Sequence, residues 1–179
     1  HVLAWKHALD EEGIALSVWR SHRRIGMSGG LFTNQLLRET GQDLTVERME
    51  RLRHLHAQAY QAQKAGVQPL PGARALLQWL GEAGIPWAIA TSGRMETARV
   101  NLEALGVDPD RSVVVTRDQV RYAKPDPDLF LAAADRLGFP IGNCMVVGDA
   151  IWDMLAATRA RALGIGCLLY TSDAADDMQ

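Results

Sequence analysis

Residues 146–157 read VVGDAIWDMLAA. A β-branched pair, Val146–Val147, ends in Gly148-Asp149. Asp153 follows four residues on, and an alanine-rich stretch of helical pattern comes after it. The reading is a short buried strand passing directly into a helix, with two carboxylates at the junction. The same grammar extends to either side. ARALLQWLGEAG (73–84) leads to PWAIAT (86–91), and METARVNLEALG (95–106) leads to SVVVT (112–116). DPDLFLAAADRLG (126–138) leads to CMVVGD (144–149), and IWDMLAATRARA (151–162) leads to GIGCLL (164–169). The strands lack polar alternation, as expected when both faces are covered. Helix–strand alternation of this kind predicts an α/β parallel sheet.

Residues 1–66 have a different character and read as helices throughout. HVLAWKHALDEEG places Val2, Leu3, Trp5, Ala8 and Leu9 near helical spacing, and Gly13 closes the pattern. SVWRSHRRIGMSGG (17–30) is a helix running into a glycine-rich loop, and LFTNQLLRE (31–39) is helical again. Thr45 stands as N-cap of the next helix, whose apolar stripe is Met49, Leu52, Leu55 and Ala59. VQPLPG (67–72) then forbids helical continuation. A boundary is expected there, giving a helical domain over 1–68 and an α/β core over 69–166. Residues 167–176 resemble the in-frame translation of a transposase adapter used in preparing sequencing libraries. The segment 167–179 is therefore expected to be a non-native tail.

Composition narrows the function. Lys+Arg number 19 against 21 Asp+Glu, a net charge of −2, so no electrostatic case exists for nucleic acid or an anionic membrane as partner. No apolar run spans a bilayer and no signal peptide opens the chain, so a cytoplasmic protein is expected. Cys144 and Cys167 have no metal-ligand spacing and read as buried small hydrophobes. The histidines at 1, 7, 22, 54 and 56 scatter over helices and read as surface residues. No G-x-G-x-x-G opens a helix after a strand, which disfavours a dinucleotide enzyme.

In open α/β sheets, ligands bind beyond the carboxyl ends of the strands. Strand 86–91 ends in Thr91, followed by Ser92 and Gly93; strand 144–149 ends in Gly148 and Asp149; Lys124 precedes a helix between them. A hydroxyl, an ammonium and two carboxylates on one sheet edge suit phosphoryl transfer. Thr91 offers a hydroxyl donor, and the Ser92 and Gly93 N–H groups lie near a helix N-terminus that favours anions. Lys124 offers a point charge; with 19 basic residues of which only Lys6, Lys64 and Lys124 are lysine, Lys is the unusual choice here. Asp149 and Asp153, one helical turn apart, can face one Mg2+. Gly148 allows close approach of backbone and metal. Arg23 and Arg24 precede a loop, Gly26 to Gly30, that could close over the site. Arg24 and Ser28 are accordingly candidate substrate contacts. Trp152 reads as packing at the edge of the pocket.

At these residues the chain resembles the haloacid dehalogenase-like (HAD) hydrolase superfamily, in its phosphoglycolate phosphatase-like and beta-phosphoglucomutase-like branch with a helical cap. AIATSGR, AKPDPDLFLAAADRLG and MVVGDAIWDMLAA are similar to its second, third and fourth motifs, in order. HVLAWKHALDEEGIALSVWRSHRRIGMSGG resembles the start of the cap. The resemblance implies a Rossmann-like core and Mg2+-dependent phosphatase chemistry on a small phosphate ester, through an aspartyl-phosphate. By residue it implies Thr91 on the phosphoryl oxygens and Lys124 orienting nucleophile and phosphate. It implies Asp149 on the metal, with Asp153 as second ligand or holder of the metal's water shell.

The superfamily's first motif, D-x-D-G-T, stands nowhere in the chain; the D-x-D strings at 108–110 and 126–128 are both Asp-Pro-Asp. That motif supplies the nucleophile, and its strand is central in the family's sheet. The expectation is a truncated chain, inactive alone, from a phosphatase parent. Two alternatives stand beside it: a metal-free 2-haloacid dehalogenase, and a non-catalytic phosphate-binding module.

Overall fold

The computed structural model describes residues 1–41 and 45–167. The apolar stripes of the first part fold as helices: α1 (Val2–Glu11), α2 (Val18–His22), α3 (Gly29–Thr40) and α4 (Val46–Ala62). Thr45 caps α4 as its sequence position requires, its hydroxyl accepting the Arg48 N–H at 3.3 Å. Burial of Ala8, Leu9, Ile14, Leu16, Phe32, Leu36 and Leu52 gives these helices a core of their own. Glu12 ties the end of α1 to α4 by accepting from Arg48 and Arg51, each at 3.0 Å, and the Arg51 bond holds its carboxyl below the usual range. At the far end of α4, Tyr60 Oη donates to Asn101 Oδ1 at 2.5 Å and packs with Ala4 and Val100, joining the helical part to the helix over Met95–Leu105.

The alternating part begins at Gly72, whose φ of +82° turns the chain into α5 (Ala73–Glu82). It continues through β1 (Ala88–Ala90), α6 (Met95–Leu105), β2 (Val113–Val115), α7 (Asp128–Leu137), β3 (Met145–Gly148), α8 (Ile151–Ala160) and β4 (Leu163–Gly166). Every strand pair is parallel, as the alternation predicts: Ala88 to Ala90 lie opposite Val113 to Val115, and Met145 to Gly148 opposite Leu163 to Gly166. Cys167 extends the second ladder by donating its N–H to the Gly148 carbonyl at 2.7 Å. The remainder of the expected tail, 168–179, lies outside the described residues.

Among the described residues the strands form two separate pairs, β1–β2 and β3–β4. Helix α7 underlies both. Leu129 and Ala133 pack with Val115 and Ala88, while Phe130 packs with Val146, Ala156 and Ala90. No ladder bond joins β1 to β3. The expectation that both strand faces are covered holds only in part. Val146 is buried against α7 and α8, but Met145 and Val147 on the opposite face are 58% and 53% exposed. Leu163, Ile165, and Leu76 and Trp79 of α5, are exposed as well.

The cysteine and histidine readings also need correcting: Cys144 is half-buried and Cys167 exposed at the end of the β4 ladder. His7, His22 and His54 are exposed, but His56 is buried, its ring centroid 4.2 Å from that of Trp5. Two-residue spacing separates it from His54 on the helix, so the pair straddles core and solvent. Burial, with the α-amino charge of His1 as the lesser cause, lowers the His56 pKa to about 4.

Candidate active site

The turn that ends β3 is built around a missing side chain. A Cβ on Gly148 would lie 2.5 Å from Asp153 Cγ and 2.7 Å from its Oδ2, so glycine is the residue that lets Asp153 fold back over the turn. There Asp153 Oδ2 accepts the Ala150 N–H at 3.0 Å and caps α8. Its other oxygen, Oδ1, accepts from Lys124 Nζ at 2.6 Å. The ion pair is closed in, Lys124 being 8% and Asp153 6% exposed. Two charges at that depth hold together because each satisfies the other; either alone would be expensive to bury. Lys124 reaches this place from the loop before α7, where its bond to Pro125 is cis, and its ammonium lies 5.9 Å from the Phe130 ring centroid.

The 29-residue separation of Lys124 and Asp153 hid this pair from sequence reading, in which Asp153 faced a metal. Both Asp153 oxygens are engaged by protein donors. Asp149, by contrast, is exposed at the carboxyl end of β3. One open carboxylate, with a second one turn away, fits Mg2+, which takes one or two carboxylates and completes its shell with water and substrate oxygens. No group of three or more His, Cys, Asp or Glu side chains suited to a metal occurs among the described residues.

At the end of β1, Thr91 Oγ1 accepts the Gly93 N–H at 3.1 Å, leaving the threonine O–H to donate outward. Ser92 Oγ is buried without a hydrogen-bond partner among the described residues, which suits a donor waiting for an oxygen ligand. The backbone here differs from expectation. Gly93 N–H is already used by Thr91, and the first N–H of α6, on Met95, donates to Asp118 Oδ2 at 2.8 Å. A carboxylate therefore occupies the helix N-terminus that the sequence assigned to an anion. Ala90, the last residue of β1, packs in the same cluster as Val146 of β3, with Phe130 of α7 between the two strand pairs.

From the helical part, Ser28 donates its N–H to the Lys124 carbonyl at 2.8 Å. Arg24 is turned inward: its guanidinium donates to the Arg20 carbonyl at 2.7 Å, to Gln35 Oε1 at 3.2 Å and to Glu39. It is buried structure and has no donor directed to Lys124. Trp152 packs against the helical core and donates Nε1–H to the Arg23 carbonyl at 3.2 Å. A cleft of about 540 Å³ between α1 and α4, lined by Glu11, Glu12, Glu47, Glu50, Arg51 and His54, lies apart from these residues.

The haloacid dehalogenase-like hydrolase family model matches residues 3–161, nearly the whole described chain. The chain belongs to the haloacid dehalogenase-like hydrolases. Within the family it is 40% identical over 135 residues to hexitol phosphatase A of Escherichia coli (strain K12), covering 75% of this chain and 57% of that protein. It is 35% identical over 102 residues to a phosphoglycolate phosphatase of Xanthomonas campestris pv. campestris, covering 57% of this chain and 46% of that one. The chain thus spans about half the length of these curated relatives. A crystal structure of a hydrolase from Pseudomonas syringae superposes with a TM-score of 0.90 at 56% identity, covering 92% of this chain and 75% of that one. Beta-phosphoglucomutase from Clostridium difficile shares the fold, with a TM-score of 0.80 at 20% identity, covering 94% of this chain and 77% of its own. The helical part and Rossmann-like α/β core of this HAD hydrolase are therefore of the family's kind.

Proposed function

We propose that this chain carries the cap and most of the core of a Mg2+-dependent phosphatase that cleaves a small phosphomonoester through an aspartyl-phosphate. The observation that carries the reading is the closed Lys124–Asp153 pair, which holds an ammonium at 8% exposure beside the turn that ends β3. A fixed cation there costs no reorganisation when charge develops on a transferring phosphoryl group. Asp153 holds Lys124 in place, and the O–H of Thr91 and the unpaired Ser92 hydroxyl serve as donors to phosphoryl oxygens. Asp149 would hold Mg2+, with Asp153 beside it steadying the metal's water shell. The ion, when bound, neutralises phosphoryl oxygens as a Lewis acid. Residues 1–68 act as the cap over the 69–166 core, with Ser28 at their contact.

The nucleophile is the part these 179 residues do not contain: no D-x-D-G-T stands among them. The unjoined edges of β1 and β3 over the shared helix α7 support a further parallel strand between them, and that strand would bring the aspartate to the same edge. The chain alone is then a phosphate-binding body without turnover. The named relatives make a sugar-alcohol phosphate and a small phosphorylated acid the first substrates to test.

The test is a phosphatase screen of the protein carrying its D-x-D strand, with Mg2+ and with EDTA, beside the 179-residue chain. Turnover that is lost in EDTA and absent from the short chain is expected. Metal-independent release of halide from a 2-haloacid, without phosphatase activity, would overturn the reading in favour of dehalogenation.

A further inference from the structure

Trp152 and Asp153 are neighbours on α8 that point to opposite tasks. Successive helical side chains diverge by about 100°. Asp153 consequently folds under the β3 turn to Lys124, while Trp152 projects to the helical part. Its ring packs against the cluster built by Leu9, Met27, Phe32 and Leu36, and its Nε1–H donates to the Arg23 carbonyl, 129 positions away in the chain, at 3.2 Å. Three residues later the same loop presents Gly26, at φ +90°. A Cβ there would lie 3.1 Å from Ala150 Cβ and 3.7 Å from Trp152 Cδ1, so the loop lies flat on the start of α8. Two residues further, Ser28 N–H donates to the Lys124 carbonyl at 2.8 Å. Within six residues, 23–28, the loop is fastened to both core segments that bear the buried pair. Tryptophan suits this post, having a large apolar face and one directional donor.

We propose that Trp152 is a latch: its indole holds loop 23–28 down on the Lys124 and Asp149–Asp153 segments, and its release sets how often the Lys124 ammonium opens to solvent and to an incoming anion. Trp152 acts through the loop and is a positioning residue. The catalytic meaning of the latch rests on the phosphatase reading; the latch itself rests on this chain's own contacts and is tested without turnover.

The 179-residue chain has three lysines, Lys6, Lys64 and Lys124, so amine labelling read by mass spectrometry isolates Lys124 against exposed Lys64. Amide exchange at Ser28 reads the loop, and amides of Val115 and of Ala133, buried in the middle of α7, read the core. Trp152→Phe keeps an aromatic ring and removes the N–H together with the five-membered half of the indole. It is expected to raise Ser28 exchange and Lys124 labelling about fivefold, the equivalent of one net hydrogen bond. Trp152→Ala is expected to raise both further, with Val115 and Ala133 still protected. The wild-type indole N–H should be slow to exchange with solvent. Unchanged Ser28 exchange and Lys124 labelling in Trp152→Phe overturns the latch, as does a rise in Trp152→Ala that appears only with loss of core protection. A positive result with no phosphatase activity in the D-x-D-bearing protein leaves the latch standing and removes the phosphatase reading.

Discussion

Gly148→Ala is the sharpest perturbation of the candidate site, because it adds one methyl group and its consequence can be worked through atom by atom. The new Cβ would sit 2.5 Å from Asp153 Cγ and 2.7 Å from Oδ2, inside van der Waals contact. Asp153 is not a loose side chain that can swing aside: Lys124 and the Ala150 N–H hold it, and it is 6% exposed. Displacing it removes the cap of α8, about 1 kcal/mol. It also strips a buried ammonium of its counter-charge, about 3–5 kcal/mol when a buried pair is broken from one side. Partial relaxation of α8 offsets some of this, so a loss of about 3–5 kcal/mol is expected. At a urea slope of about 2 kcal/mol/M that lowers the unfolding midpoint by roughly 2 M. Gly142→Ala, where an added Cβ meets nothing within 4 Å, is the control and should stay within about 0.5 kcal/mol of wild type. Because Asp153 Cβ itself crowds the added methyl, Asp153→Ala should not rescue Gly148→Ala, whereas in an Asp153→Gly background the same methyl should be nearly neutral. A Gly148→Ala midpoint matching wild type, or an equal loss in the Asp153→Gly background, refutes the reasoning.

Lys124→Met removes the cation and leaves the Asp153 carboxylate buried; urea unfolding should show a loss of about 3 kcal/mol. In the D-x-D-bearing protein the same change should cut kcat by at least a hundredfold, an effect of the size seen when an oxyanion-stabilising donor is removed. Asp149→Asn, at an exposed position, should leave stability within about 0.5 kcal/mol and abolish activation in a Mg2+ titration. His56, with its pKa lowered from 6.5 to about 4 by burial, takes its proton in the unfolded chain before the folded one as pH falls. Its contribution is therefore complete above about pH 6.5 and lost as pH falls toward 4, at most roughly 3 kcal/mol. Urea midpoints at pH 7.5 and 4.5 should converge in His56→Phe relative to wild type; an unchanged gap refutes this assignment.

The elements were legible because their signals are local. The run Val113–Val115, the Thr45 cap and the Pro69–Pro71 break each act within a few residues, and all stand where period and turn chemistry place them. Parallel pairing was legible too, since helices of ten or eleven residues between strands leave no other short connection. What escaped was decided at long range. Nothing in the motif around 149–153 states that Asp153 spends one oxygen on Lys124 and the other on its own helix cap. Asp118, from 23 residues beyond Met95, takes the first N–H of α6, two residues past the Gly93 N–H that Thr91 already holds. Arg24 reads as a substrate contact until Gln35 and Glu39, on the next helix, claim its donors. His56 sits two residues from an exposed histidine, and only the packing of α1 on α4 tells them apart. These misses share a cause: the residue types suited to a phosphate site are also those that neutralise one another when the ligand's charge is already matched within the fold. Spacing can therefore nominate a carboxylate for a site, but its role follows from which of its oxygens the protein leaves open. By that criterion Asp149, exposed at the end of β3, is the carboxylate left open for the proposed metal, whereas Asp153 is committed to Lys124 and to the Ala150 N–H.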